Sequence, residues 1–319
     1  MAIALVFPGQ GSQTTGMGRA LAAAFAPARE VFEAVDETLK QNLSRLMFEG
    51  PQEELTLTAN AQPALMAMSL AVLRVLEAEG GFTVRGRVAL VAGHSLGEYS
   101  ALAGAEAFDV ATAARLLRLR GNAMQQAVAP GVGAMAALLG AEAEQAAAIC
   151  ARAATDPETG KAETIEVAND NGGGQVVISG HAGAVARAIE IAMADGVKRA
   201  MQLPVSAPFH CALMAPAADA MAEALAGADL RAPVVPVVAN VTAAKATDPA
   251  VIRDLLVRQV TGTVRWRESV AAMVAMGCDR FVEIGAGKVL TGLMKRNAPE
   301  AKADAVGTPA EIEAFLKSL

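Results

Sequence analysis

Residues 88–105 read VALVAGHSLGEYSALAGA. The first five are continuously apolar, as in a strand covered on both faces, and the last ten are helix formers. Between them stands G93-H94-S95-L96-G97, the G-x-S-x-G pattern in the strand-to-helix context of a nucleophile elbow. A turn that sharp brings backbone against backbone and leaves no room for Cβ atoms, which is why glycines flank it; the serine is held exposed at a strained position. The helix is expected to begin at Ser95, so its first free amides and its positive dipole end face negative charge developing on a bound acyl oxygen. The amide of Leu96 is the expected donor. The plainer reading is a tight turn in which Ser95 only caps the helix.

Working outward, further short apolar runs occur at Ile3–Phe7, in PVVPVVAN (233–240) and in RFVEIG (280–285), separated by long amphipathic stretches rich in alanine and leucine. That alternation predicts an α/β core around a mostly parallel sheet. The middle of the chain differs. GAMAALLG, AEAEQAAAICARAAT, TIEVAND, GGQVVISG, HAGAVARAIEIAMADG and KRAMQLPV read in turn as strand, helix, strand, strand, helix, strand. This is the order of a ferredoxin-like βαββαβ unit, so residues 126–203 are expected to form a small domain inserted into a core made of 1–125 and 204–319. The cleft between the two is a natural ligand site.

The chain has 319 residues, 53% of them hydrophobic, enough to bury a large core. Its formal charge of -6 is spread without basic or acidic blocks, so neither nucleic acid nor a membrane is expected as partner. The start, MAIALVFPGQGSQ, places no cation ahead of its apolar stretch, and no run of about 18 uninterrupted apolar residues occurs; a cytoplasmic protein is expected. Cys150, Cys211 and Cys278 are far apart and lack metal-ligand spacing, which argues against both a disulfide framework and a metal site.

A serine hydroxyl is a weak nucleophile and needs a base, for which the chain offers three histidines. The side chain of His94 should diverge from that of its neighbour Ser95, and His181 is placed to cap a helix in the small domain. His210, in PVSAPFHCALM, is the remaining candidate, the alternative being a hydrogen-bonded loop histidine. In DVATAARLLRLRGNAMQQAV, Arg120 sits in the apolar stripe of Ala113, Leu117, Met124 and Ala127, whereas Arg115 and Arg118 read as solvated. A buried guanidinium implies a buried acidic partner or a ligand bearing a carboxylate. GQGSQTTG and EIGAGKVLTG look like phosphate loops but depart from the required glycine and hydroxyl positions, so no nucleotide site is predicted.

Taken in order, FPGQGSQ, GHSLGEYSALAGA, LRGNAMQQA, NDNGGGQVVISG, LPVSAPFHCALMAPAA and EIGAGKVLTGLMKR resemble the malonyl-CoA:acyl carrier protein transacylases of fatty-acid synthesis, from Phe7 to about Arg296. The resemblance implies a hydrolase-like α/β core with a ferredoxin-like insert. It further implies Ser95 as nucleophile, His210 as general base and later acid, and the amides of Gln10 and Leu96 as an oxyanion hole. Arg120 would clamp the malonyl carboxylate, the main-chain carbonyl of Gln259 would orient the histidine, and Gln62 and Asn171 would lie near the acyl pocket.

By the same resemblance, malonyl-CoA is the acyl donor and holo-acyl carrier protein the acceptor. No permanently bound cofactor or metal is implied, and a monomer is expected. Lys288, Lys295 and Arg296 form a candidate basic patch for an acidic carrier. Phe209 before the histidine resembles the malonyl-selective acyltransferases of polyketide synthesis, leaving a free-standing acyltransferase of that kind as an alternative. A serine thioesterase or hydrolase using the same Ser–His pair, and a non-enzymatic scaffold, are the other readings.

Overall fold

The computed structural model describes residues 2–205 and 207–319. Its strands are β1 (Ala2–Phe7), β2 (Val88–Gly93), β3 (Gly133–Leu139), β4 (Ile165–Asp170), β5 (Gln175–His181), β6 (Arg199–Gln202), β7 (Val237–Ala239), β8 (Ala244–Ala246), β9 (Cys278–Ile284) and β10 (Lys302–Val306). They form two sheets. The first runs β10-β9-β1-β2-β7-β8 and is parallel except for the edge pair β7/β8. The second, β4-β5-β3-β6, is wholly antiparallel and packs its own core against the helices Ala143–Ala153 and Ala182–Ala194. Counted within the insert, that strand order is 2-3-1-4, the arrangement expected of a βαββαβ unit.

The continuous apolar runs are explained by what lies on each face of the large sheet. Ile3, Leu5 and Phe7 of β1 enter the major core beside Leu65 and Leu102, while Ala4 and Val6 enter a second core with Trp266 and Phe281 on the opposite face. With both faces covered, each successive side chain must be apolar. The helix Thr58–Gly80 is long and apolar enough to cross a membrane, but 83% of its apolar window is buried inside the protein, as a core helix would be.

PVVPVVAN yields a strand only at Val237–Ala239. Pro236 has no N–H to give to the ladder, although its carbonyl accepts from the Val91 amide at 3.0 Å. The edge strands β8 (AKA) and β10 (KADAV) carry charged residues and lack the apolar runs by which the inner strands are read.

Parallel pairing decides where chemistry can occur. Phe7 pairs with Gly93, and Ala92 with Val238, so β1, β2 and β7 end at one edge of the sheet. Their following residues, Gln10, Ser95 and Asn240, are thereby brought to that edge, the usual ligand-binding side of an open parallel sheet. The second sheet joins the core there through Val264, whose amide donates to Ala168 O at 2.8 Å and whose carbonyl accepts from the Asp170 amide at 3.0 Å.

A methyl group on Gly93 would fall 1.9 Å from the backbone of Gly97, and one on Gly97 would fall 2.3 Å from Phe7 O. No side-chain movement relieves either clash. Gly97→Ala is therefore expected to cost more than about 3 kcal/mol of stability, read from the urea midpoint; an unchanged midpoint would mean that the elbow is looser than the structure shows.

Candidate active site

Ser95 sits between β2 and the helix Gly97–Gly104 with φ +53°, a left-handed conformation that a serine adopts only at a cost of about 1–2 kcal/mol. Asn240 holds it there. The Asn240 side chain accepts from the Ser95 amide at 2.8 Å and donates to Gly93 O at 2.7 Å, bracketing the turn from the end of β7. The helix begins at Gly97 with Leu96 at its N-cap, two residues later than the sequence suggests, because the left-handed Ser95 cannot belong to it. Among the described residues, no protein acceptor is bonded by the amides of Leu96 or Gln10, and both residues line the same cavity.

Ser95 Oγ lies 2.7 Å from Nε2 of His210, whose Nδ1 lies 2.9 Å from the main-chain oxygen of Gln259. A carbonyl can only accept, so Nδ1 carries the proton and Nε2 is left with a lone pair aimed at the serine hydroxyl. Burial and then the neighbouring Arg120 push the His210 pKa down to about 3, against a smaller opposing effect of the Gln259 carbonyl. The ring is thus neutral, and His210, like Ser95, is left-handed at φ +59°.

Arg120 is 1% exposed on the helix Val110–Gln126. It donates to Gln62 Oε1 at 2.8 Å, Gln259 Oε1 at 2.9 Å and Ser95 Oγ at 3.1 Å, and its Cζ stands 5.7 Å from the Tyr99 ring centroid. Its Nε has no protein partner, and among the described residues no carboxylate comes within ion-pair distance. The choice left open by the sequence, an internal acid or a ligand carboxylate, is narrowed: Glu98 interacts with the guanidinium electrostatically without touching it. A desolvated cation that meets only neutral groups favours an anionic ligand in the cavity.

That cavity, of about 390 Å³, is lined by the edge loops, by Phe209, by Asn169 and Val177 of the second sheet and by Asn171 just after β4. Asn171 Oδ1 bonds His94 Nε2 at 2.8 Å, and the His94 ring lies 5.7 Å from Trp266. The three glycines after Asn171 are all left-handed, and side chains on Gly172 and Gly173 would strike Asn297 and Arg296. They allow a close approach and do not merely loosen the loop.

Other positions depart from expectation. His181 occupies an N-cap position, but its ring caps nothing; Nδ1 accepts from the Thr164 amide at 2.9 Å. Arg118 is half-buried instead of solvated, reaching Asn60 at 3.1 Å and Gln41 at 2.5 Å and so tying two helices to the loop that follows the helix Ala26–Leu39. Of the basic residues near the end, Lys288 pairs with Glu311 at 2.8 Å, Arg296 donates to Gly173 O at 3.2 Å, and Lys295 is exposed. Three groups escaped the sequence reading altogether: Asn240, the side chain of Gln259, and Glu98, a fully buried carboxyl pushed up to about 7 by desolvation.

A core of mostly parallel strands, roofed by an antiparallel insert above an elbow serine paired with a histidine, defines the class as α/β enzymes with a serine nucleophile. The acyl transferase domain family matches residues 4–310. The Bacillus subtilis malonyl CoA-acyl carrier protein transacylase is 45% identical over 317 residues, covering 99% of this chain and 97% of that protein. A crystal structure of the acyl-carrier-protein S-malonyltransferase from Bartonella henselae superposes with TM-score 0.95 at 55% identity, covering 100% of this chain and 99% of that one. A malonyl-transacylase in complex with its type II PKS acyl-carrier protein gives TM-score 0.94 at 43% identity, with full coverage of both chains. The chain belongs to the acyl transferase domain family and, within it, to the malonyl CoA-acyl carrier protein transacylases.

The two perturbed groups have opposite effects on stability. The folded His210 pKa lies below its usual 6.5, so unfolded chains take up the proton first and stability is lost as pH falls from 6.5 towards 3. The folded Glu98 pKa lies above its usual 4.5, so stability is lost as pH rises from 4.5 towards 7. Between pH 4.5 and 6.5 the two slopes oppose. Removing one with Glu98→Gln should make stability rise more steeply with pH across that window, by up to about 1.4 kcal/mol per pH unit, in urea titrations at several pH values. An unchanged slope would show that Glu98 is ionised in the fold as in the unfolded chain.

Proposed function

We propose that the protein transfers a malonyl group from malonyl-CoA to the pantetheine thiol of holo-acyl carrier protein through an ester on Ser95. The observation that carries this reading is the buried Arg120, without an acidic partner, 3.1 Å from a serine oxygen that itself lies 2.7 Å from a neutral histidine. His210 Nε2 takes the Ser95 proton as Oγ attacks the thioester carbon. The resulting oxyanion faces the free amides of Leu96 and Gln10, and the positive helix end behind Leu96 stabilises it further. Collapse expels the CoA sulfur, which receives the proton from His210. In the second half-reaction the carrier thiol gives its proton to His210 and attacks the ester, and Ser95 regains the proton as it leaves.

The Gln259 carbonyl holds the imidazolium that forms in each half, in place of a carboxylate. Acyl exchange between oxygen and sulfur moves no electrons between partners, so the reaction asks for no redox group. The malonyl carboxylate would exchange with Ser95 Oγ as a partner of Arg120, beside Gln62, in a cavity that Asn171, bonded to His94, also lines. An acetyl group offers no such partner and leaves a buried cation unsatisfied, which makes acyl choice a matter of charge.

In this reading the lobes 1–125 with 204–319 and 126–203 close over the acyl group, and all the groups used come from one chain, so a monomer suffices. Lys295 and Arg296, near the end of the helix Val289–Asn297, are the remaining basic candidates for carrier docking, Lys288 being paired. The solubility of CoA thioesters and carrier proteins supports a cytoplasmic place of action. Similarity to a malonyl-transacylase in complex with a type II PKS acyl-carrier protein supports a second reading of the pathway, in which the acceptor belongs to polyketide synthesis.

Intact mass after brief exposure to malonyl-CoA should show one malonyl adduct, absent from Ser95→Ala and discharged by added holo-carrier. Rapid release of free malonate without carrier would replace transfer by hydrolysis. Arg120→Ala is expected to reduce malonyl transfer by about a hundredfold or more and to relax the preference for malonyl over acetyl-CoA. A variant that kept the parental preference would remove Arg120 from the role of clamp.

A further inference from the structure

Gln259 meets the site with two different atoms: its main-chain oxygen takes His210 Nδ1 at 2.9 Å, and its side-chain Oε1 takes Arg120 at 2.9 Å. Nothing in an amide's shape decides which end points where, since a flip exchanges oxygen for nitrogen at no steric cost. A flipped amide would turn an N–H against the guanidinium. The orientation is decided on the other side, where the side-chain nitrogen donates to Glu98 Oε2 at 2.8 Å and to Ser95 O at 3.0 Å, with Asn240 Oδ1 at 3.3 Å. Glu98 Oε2 also accepts the main-chain amide of Asn240 at 3.0 Å, and the side chain of Asn240 brackets the elbow.

Building on the transfer reading above, we infer that Glu98 is a positioning residue for acyl selection: by accepting from Gln259 and Asn240 it fixes the Gln259 amide with its oxygen towards Arg120, and so holds the guanidinium where a substrate carboxylate must meet it. Glu98 reaches neither the cavity nor the reacting atoms; it acts through Gln259. The same oxygen fastens the loop after β7 to the elbow helix, so the clamp and the turn that presents Ser95 share one anchor.

What the role demands is an acceptor at Oε2, with no need for charge. Burial already pushes the Glu98 pKa up to about 7, and both of the bonds to Oε2 come from neutral N–H groups. A glutamine at 98 can present a carbonyl oxygen at the same place, whereas a methionine fills the volume and accepts almost nothing.

The test measures kcat and KM for malonyl-CoA and acetyl-CoA, with holo-carrier as acceptor, in the parent, Glu98→Gln, Glu98→Met, Gln259→Leu and the Glu98→Met/Gln259→Leu pair. Thermal unfolding verifies that each is folded, and a malonyl adduct on parental Ser95 verifies the transfer reading separately. Glu98→Gln should keep the parental ratio of malonyl to acetyl kcat/KM within about threefold. Glu98→Met and Gln259→Leu should each lower it by about tenfold, mainly through KM for malonyl-CoA, and the pair should be little worse than either. Gln259→Leu retains the main-chain carbonyl, so a loss there reports the amide and not the histidine. Parental selectivity in folded Glu98→Met, or losses that multiply in the pair, would overturn the assignment. If Glu98→Met does not fold, Glu98→Gln decides alone: a tenfold loss of selectivity would mean that charge is required, against the inference. A parent that forms no Ser95 adduct would instead remove the transfer reading.

Discussion

The structure is organised around one uncompensated charge. Arg120 is buried, touches only neutral oxygens and an aromatic face, and lies beside Ser95. Leaving a guanidinium in such a place costs several kcal/mol unless the surroundings are built for it, and much of the site is that building. Gln62 and Gln259 turn their oxygens inward, Glu98 supplies a distant field, and His210 is kept neutral first by its own burial and then by the cation beside it. One charge therefore adds to what burial does to the base and, in the proposed transfer, selects the kind of acyl group that fits.

A histidine held neutral in this way suits a reaction run twice in opposite directions. An aspartate behind the ring would raise its basicity and bring a second buried charge towards the arginine's field. The Gln259 carbonyl gives direction and tautomer with only a dipole. In the proposed transfer the histidine gains its charge only during the reaction, when the oxyanion against Leu96 and Gln10 would appear with it, so the two charges would arise and vanish as a pair.

Much of this was legible in the sequence because backbone constraints write themselves into residue types. The elbow needs Gly93 and Gly97 against neighbouring backbone, and the two-faced sheet needs unbroken apolar runs in β1, β2 and β9. Arg120 stood out as a cation on an apolar stripe. The same argument applied to Glu98, an acid in the buried helix LGEYSALAGA, points to a second desolvated charge. It was missed because the serine three residues earlier accounted for the motif by itself.

What stayed illegible depends on contacts between distant segments. Gln259 lies in a helix where a glutamine is unremarkable, and Asn240 follows a strand shortened by Pro236. The role of Asn240 exists only because parallel pairing sets β7 beside β2 and brings its side chain within reach of Gly93 O, and that of Gln259 only because its helix meets the same edge. The left-handed backbone of His210 is equally silent, since nothing in APFHCALM marks φ +59°. Motifs disclose what a local turn requires; the atoms that aim a base and orient an amide are chosen by strand order, and they become visible only when the sheet is assembled.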